Sequence, residues 1–397
     1  MTQNPDASTK ASANNRGQEQ FPYWMPPEWA RHERTLVSWP VQDSMCQPAD
    51  YVRVCAGYAA MVAAIAEFEP VTVLVNPNRT QEVREQVRVA AAAADRQNLS
   101  ESQIPCNSQH PSNRQTLPGI SRHPVDFLEI PHNDSWVRDN GPTFVRTRMG
   151  ALAGINWRFN AWGGKYAPWD LDDAVAPAVL AAFGRLRVDA PLVMEGGSFH
   201  TDGEGPLLTT RQCLRNANRN PDLSEEAIAA QLRHYLGVEK ILWLGDGLDG
   251  DETDGHIDNL ACFAAPGKIL LQVCHDPEDP NASVTEASLS VLSRERDARG
   301  RAIEVVQIPQ PPRRMGPDGR LTLSYLNFYF VNDGLVVPVF GGDAEAADRE
   351  ALRLLAGVFP DRRIRAIDGM AIVTEGGNVH CATQQVPVAA TSTKNAQ

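Results

Sequence analysis

Apolar positions fall at helical spacing in YVRVCAGYAAMVAAIAEF (51–68), and the β-branched run PVTVLVN (70–76) follows directly. That pairing predicts a helix leading into a buried strand. The alternation then recurs down the chain. REQVRVAAAA (84–93) predicts a second helix and VDFLEIP (125–131) a strand. Short β-like runs follow at PLVME (191–195), GPLLTT (205–210), KILWLG (240–245), NLACFAA (259–265), KILLQVC (268–274), LSYLNFYFV (323–331), GLVVPVF (334–340), IRAID (364–368) and MAIVT (370–374). Between them lie the helical patterns SEEAIAAQLRHYLG (224–237) and DAEAADREALRLLAGVF (343–359). Many short strands mixed with helices, without a break in composition, predict an α/β fold in one domain.

The pattern also marks what lies outside that domain. Residues 1–20 are polar and rich in Asn, Gln and Ser, with no apolar stretch of the kind a secretory signal carries. They are expected to form a disordered tail. Residues 95–124 are Ser/Asn/Gln/Pro-rich and unpatterned, which predicts a long polar insertion or loop. The ordered domain is expected over 21–388, with 389–397 as a C-terminal tail.

Composition narrows the function classes. No apolar run reaches the roughly 18 residues of a membrane helix. The chain carries 49 acidic against 37 basic residues, a net charge of −12. That disfavours nucleic-acid and anionic-membrane partners and favours a small cationic ligand. Seven cysteines without a CxxC pair fit reduced thiols in a cytoplasm better than a disulfide or zinc framework.

One phrase is written twice. LVMEGGSFHTDG (192–203) and TEGGNVHCATQQ (374–385) share Glu-Gly-Gly-x-apolar-His, with Thr201 where the later copy has Cys381. Such self-similarity suggests repeated structural units. The polar cluster LGDGLDGDETDGHIDN (244–259) supports neither of two familiar ligand loops. Its GxGxxG at 245–250 is followed by no helix pattern and is crowded with acids that repel a pyrophosphate. A calcium loop begun at Asp249 would need Gly and Glu where Asp254 and Leu260 stand. Read as the start of a strand, His256-Ile257-Asp258 would instead put a histidine and a carboxylate on one face. NDSWVRDNGPTFV (133–145) offers Asp134, Asp139 and the aromatic Trp136, a set suited to a cationic group. RFNAWGGKYAPW (158–169) interleaves aromatics, Trp162 among them, with glycines that let a ligand approach the backbone.

Taken in order, WVRDNGP, FNAWGGK, EGGSFHTDG, DETDGHIDN and EGGNVHCATQQVP resemble the agmatine deiminases of the guanidine-modifying superfamily, relatives of the bacterial peptidyl-arginine deiminases. The resemblance spans about residues 21–388. It implies the pentein fold, five ββαβ-type units around a pseudo-fivefold axis with the active site in the central channel. It implies Cys381 as nucleophile, His256 as catalytic histidine, and Asp139, Glu195 and Asp258 as acids that hold the guanidinium, with Trp136 and Trp162 beside the substrate. The implied reaction converts agmatine to N-carbamoylputrescine and ammonia through a covalent thiouronium, with no metal or cofactor. Residue types and chemistry agree, because a guanidinium stays protonated and is bound best by paired carboxylates.

Two departures stand out: Glu375 occupies a position where the family usually has Gly, and SWPVQDSMCQPADY (38–51) replaces the usual N-terminal segment near the substrate's amine end. Another guanidine compound, arginine or peptidyl-arginine therefore remains an alternative substrate for the same mechanism. A manganese ureohydrolase built on DETDGHID would leave Cys381 without a role. A ribosome-associated binding factor would leave the cysteine, histidine and three acids without one. The sequence leaves open whether the protein is a homo-oligomer.

Overall fold

The computed structural model describes residues 21–44, 47–101 and 123–389, with only the backbone described over 94–101. The tail expected over 1–20, and residues 390–397 of the one expected at the C-terminus, lie outside the described residues. So do 102–122 of the predicted insertion; its first residues, 95–101, continue the helix Thr80–Glu101.

Five sheets of three or four strands, all built alike, organise the described residues. In each, an antiparallel pair is extended by a strand parallel to its second member. Thr143–Thr147 pairs antiparallel with Leu152–Arg158, which pairs parallel with Leu186–Val193. Phe199–Thr201, Pro206–Thr210 and Lys240–Leu244 repeat this pattern. Ala261–Ala265, Lys268–Val273 and Glu304–Pro309 do so again. Tyr329–Val331, Gly334–Val339 and Arg363–Asp368 form the fourth set. The fifth draws on both ends of the chain: Thr383–Pro387 lies antiparallel to His32–Ser38, which pairs parallel with Val71–Val75 and through it with Val125–Glu129.

A helix makes each parallel crossover, as parallel pairing requires. The helices are Val175–Ala182, Glu225–Leu236, Asn281–Arg294, Glu345–Val358 and Tyr51–Ile65. Glu225–Leu236 shows why these residues form a helix. The Ser224 hydroxyl accepts the first free amide, from Ala227, and Gly237 ends the helix in the left-handed conformation at φ 66°. Its buried Ile228, Leu232 and Leu236 fall on one face and pack against Leu192, Phe199 and Leu207. Each such side chain contributes about 1.5–3 kcal/mol by burial.

Three expected elements take another form. MAIVT is a helical turn, Met370–Val373, because Arg363–Asp368 already fills the parallel position in that sheet and Asp368 caps the turn at the Met370 amide. Within LSYLNFYFV only Tyr329–Val331 is strand, since Ser324 and Asn327 turn their polar groups to the neighbouring Asn259. His256-Ile257-Asp258 is not a strand either. His256 precedes the one-turn helix Ile257–Leu260, and Ala261 begins the strand.

The chemistry-bearing residues share one place in this plan, just before the first strand of each unit. Asp139 precedes Thr143, Glu195 precedes Phe199, His256 and Asp258 precede Ala261, Asn327 precedes Tyr329, and Cys381 precedes Thr383.

Candidate active site

Cys381 lies on the wall of a narrow cleft open to solvent. Trp136, Asp139, Trp162 and Tyr166 line it with the thiol, and Asp134, Glu252 and Glu375 add carboxylates. Glu195, His256 and Asp258 sit directly behind this surface and are fully buried. All seven residues singled out from the sequence therefore converge on one region.

The thiol touches two groups. Its S–H faces Asp258 Oδ2 at 3.4 Å, and the Asn327 side-chain amide donates to the sulfur at 3.1 Å. Burial pushes the Cys381 pKa well above the ordinary thiol value, and the carboxylates of Asp258 and Asp139 push it the same way. Both effects favour the neutral thiol over the thiolate.

His256 lies between two acids, with Nδ1 3.9 Å from Asp139 Oδ2 and Nε2 3.8 Å from Glu195 Oε2. Neither ring nitrogen makes a hydrogen bond within the described residues. Burial disfavours the imidazolium, but Asp139, Cys213 and Glu195 outweigh it and raise the His256 pKa well above the usual value. Glu195 is fixed from its other oxygen, which accepts from Arg219 Nε at 2.6 Å. Arg219 in turn binds the 251–255 loop through Asp254 Oδ2 (2.8 Å) and the Thr253 carbonyl (3.0 Å). Burial raises the Glu195 pKa, yet Arg219 and His256 more than offset it and the carboxyl ends below its ordinary range.

Asp139 accepts from the Gly197 amide and from Trp162 Nε1, both at 2.9 Å. Trp162 reaches it from a left-handed backbone, φ 54°, a conformation a bulky residue adopts only when its surroundings impose it. Burial, and then Asp258 and Glu195, push the Asp139 pKa up, against the pull of His256. Asp258 is lowered: burial is outweighed by His380, whose Nδ1 lies 2.9 Å from Oδ2, and by His256.

The glycines of the repeated phrase make this crowding feasible. A Cβ on Gly197 would sit 2.7 Å from His256 Nδ1 and 2.9 Å from Asp258 Oδ2. On Gly377 it would sit 2.6 Å from the Trp136 ring and 2.9 Å from the Cys381 Cβ.

Sequence reasoning missed Asn327, Arg219, Cys213, His380 and Glu28. A lone Asn inside the aromatic run LSYLNFYFV was a signal for the first, and the repeated phrase marked His380 without giving it a task. Nothing local marked Arg219 or Glu28. Glu195, Cys213 and His256 also bring three ligand-type atoms within 4.8 Å of one another. The Arg219 guanidinium on Glu195 makes that group a poor cation site.

The Porphyromonas-type peptidyl-arginine deiminase family matches residues 24–387. An agmatine deiminase of Stutzerimonas stutzeri is 41% identical over 390 residues, covering 92% of this chain and 95% of its own. One from Pseudomonas aeruginosa is 39% identical over 392 residues, covering 91% and 95%. Among solved structures, the agmatine deiminase of Enterococcus faecalis superposes with a TM-score of 0.78 at 34% identity, covering 94% of this chain and 97% of that one. The chain belongs to the Porphyromonas-type peptidyl-arginine deiminase family, with agmatine deiminases among its relatives.

Proposed function

We propose that the protein is an agmatine deiminase that hydrolyses the guanidinium of agmatine to N-carbamoylputrescine and ammonia by way of Cys381. The observation that carries this is the cleft itself. Its described lining holds the cysteine and four carboxylates, Asp134, Asp139, Glu252 and Glu375, and no Lys or Arg. Agmatine is cationic at both ends and matches such a lining. Arginine adds an α-carboxylate that would meet acids and no cation, a mismatch worth several kcal/mol across an enclosed site.

In this reading Asp139 and Asp258 bind the guanidinium, with Trp136 and Trp162 closing around it. The incoming positive charge offsets the carboxylates that keep the thiol protonated, so the thiol releases its proton to bulk water as substrate binds, the proton that later turns the freed ammonia into ammonium. Sulfur attacks the central carbon, and a C–S bond forms. His256, held as imidazolium by Asp139 and Glu195, gives its proton to the departing NH2 group, and the C–N bond breaks to release ammonia. The neutral imidazole then takes a proton from water, whose hydroxide adds to the S-alkylthiouronium carbon. Collapse of the adduct breaks the C–S bond, leaves the ureido product and returns the thiol. Asp134, Glu252 and Glu375 meet the distal ammonium. Burial, Asp172 and the two glutamates push the Asp134 pKa to about 8, as expected of carboxyls gathered for a cation.

The five alike sheets, the last completed by both chain ends, support a closed pentein array over residues 21–388 with the pre-strand turns gathered around its axis. A small cationic guanidine is the partner, no metal or other cofactor enters the scheme, and the reduced cysteines suit a cytoplasmic setting.

The test is to incubate the protein with agmatine, arginine and other guanidines, with and without chelator, and assay ammonia, urea and ureido product. Ammonia and ureido product from agmatine, with and without chelator, are expected. Urea release, or a Cys381→Ser protein of near wild-type rate, overturns the reading.

A further inference from the structure

The buried groups behind Cys381 form a chain of which the reaction scheme uses only the first member, Asp258. Asp258 Oδ2 faces both the thiol and His380 Nδ1. The other ring nitrogen, Nε2, lies 3.0 and 3.1 Å from the two oxygens of Glu28, which come from 352 residues earlier in the chain. Glu28 is itself held by Arg138 Nη1 at 3.2 Å and His200 Nε2 at 3.3 Å. Every member is at least nine-tenths buried.

His380 is clamped by its backbone as well. Its amide donates to Asn327 Oδ1 at 2.9 Å, and its carbonyl accepts from Arg138 Nε at 3.2 Å. A ring with a carboxylate on each nitrogen must donate from both, which makes it an imidazolium. Burial and Arg138 oppose that charge; Glu28 and Asp258 outweigh them and raise its pKa. Asp258 Oδ1, by contrast, is buried and has no hydrogen-bond partner within the described residues. Besides the thiol, only His380 among the described residues holds the orientation of this carboxylate by hydrogen bond.

The geometry points to His380 as a positioning residue: gripped by Glu28, it fixes Asp258 through Oδ2 so that Oδ1 is presented to the guanidinium beside the thiol. The inference rests on the guanidine-deiminase reading. His380 does not line the cleft, so it acts through Asp258. Misplacing a group at the reacting centre by about 1 Å costs on the order of 10²-fold in rate.

Two amides divide the ring's contacts. An Asn side chain places its NH2 where Nδ1 stands, facing Asp258, and a Gln places it where Nε2 stands, facing Glu28. His380→Asn, His380→Gln and His380→Ala are therefore assayed on agmatine, and for labelling of Cys381 by 2-chloroacetamidine, a small amidinium with no distal group. Gln and Ala are expected to lose about 10²-fold in kcat/KM, with Asn keeping within about 10-fold of wild type, and labelling rates should fall in the same order.

Equal loss in Asn and Gln, or wild-type rates in all three, overturns the inference. Should these variants fail to fold, Glu28→Gln keeps the fork's shape but removes its charge. It should lower the His380 pKa and move the alkaline limb of the pH–rate profile to lower pH; an unmoved limb overturns the inference as well. Wild-type protein that is labelled by the amidinium yet releases no ammonia from agmatine counts against the substrate. The His380 comparison then reads from the labelling rates alone.

Discussion

In the loop Glu195–Gly196–Gly197 the second glycine leaves room for His256, Asp258 and Asp139. In Glu375–Gly376–Gly377 it leaves the same room for Trp136 and Cys381. The two glutamates part company. Glu195 is fully buried and bound by Arg219, whereas Glu375 lines the cleft. The ends differ as well. Thr201 closes a strand, with its hydroxyl on the Pro206 carbonyl at 2.8 Å, while Cys381 stops two residues short of one and faces the cleft. The two histidines converge again, His200 and His380 both reaching Glu28. Repetition thus preserves the backbone device, close approach at a Gly-Gly turn, while the chemistry depends on where the neighbouring unit puts its side chains.

The largest expected break is at the odd residue. Cys381→Ser should lower kcat by at least about 10³-fold, as removal of a nucleophile does. Adding Thr201→Cys to that protein should restore nothing, because position 201 is walled into the strand pair; ammonia release measures both. The free wild-type thiol gives a pH test. Its folded pKa is raised, so alkylation by neutral iodoacetamide, followed by mass spectrometry, should stay slow at pH 8 and rise only well above pH 9.

Next in size are the glycines. Gly197→Ala puts a methyl into His256, Asp258 and Asp139 together and should cost about 10²-fold or more in kcat. Gly377→Ala meets an aromatic edge and the Cys381 Cβ, and should instead show as a displaced Trp136, read from its fluorescence, together with a slower rate. Equal, small effects at both positions would break the parallel.

How much of this the residues declare depends on range. The helix Glu225–Leu236 is legible because Ser224, Gly237 and its apolar face are all local. The site acids are legible because they sit in short phrases whose residue types suit a guanidinium. The strand expected at MAIVT was not, since β-branched Ile372 and Val373 read as strand until the sheet is seen to be filled by Arg363–Asp368. His256 and Asp258 were predicted together on a strand face. Both do face Gly197, but from the start of a one-turn helix instead of a strand. Arg219 and Glu28 stayed hidden because their partners lie 24 and 352 residues away. No periodicity reports pairings of that kind.

The glutamates give a sharper contrast of kinetic kind. Glu195→Gln leaves the buried Arg219 guanidinium with Asp254 alone as its anion, and breaking a buried pair costs up to about 3–5 kcal/mol of stability. It also weakens the hold on the His256 proton, so kcat should fall about 10²-fold. Glu375→Gln should leave kcat and melting temperature nearly unchanged and raise KM for agmatine about 10-fold, the worth of one partly screened charge contact. A kcat loss at Glu375 or a pure KM effect at Glu195 would invert the division drawn between the two loops.

The smallest effect is expected where the copies look most alike. His200 and His380 share Glu28, but His200 Nδ1 accepts from the Phe263 amide at 3.2 Å and its ring stacks on Phe263, away from Asp258 and the thiol. His200→Gln should therefore act on stability alone. An unpaired buried Phe263 amide costs about 1–3 kcal/mol, while the Gln NH2, standing where Nε2 stood, keeps a donor on Glu28 beside Arg138 and His380. Burial pushes Glu28 up, but His380, Arg138 and His200 keep it well below its ordinary range. Its contribution to stability is therefore present above about pH 4.5 and lost as the pH falls below that. With the Phe263 amide left unpaired, the His200→Gln protein should begin to unfold at higher pH than wild type during acid titration, followed by circular dichroism. At neutral pH its kcat should stay within about threefold. A large loss of kcat at neutral pH would mean that both histidines reach the reaction, and that the asymmetry between the loops lies only in the cysteine.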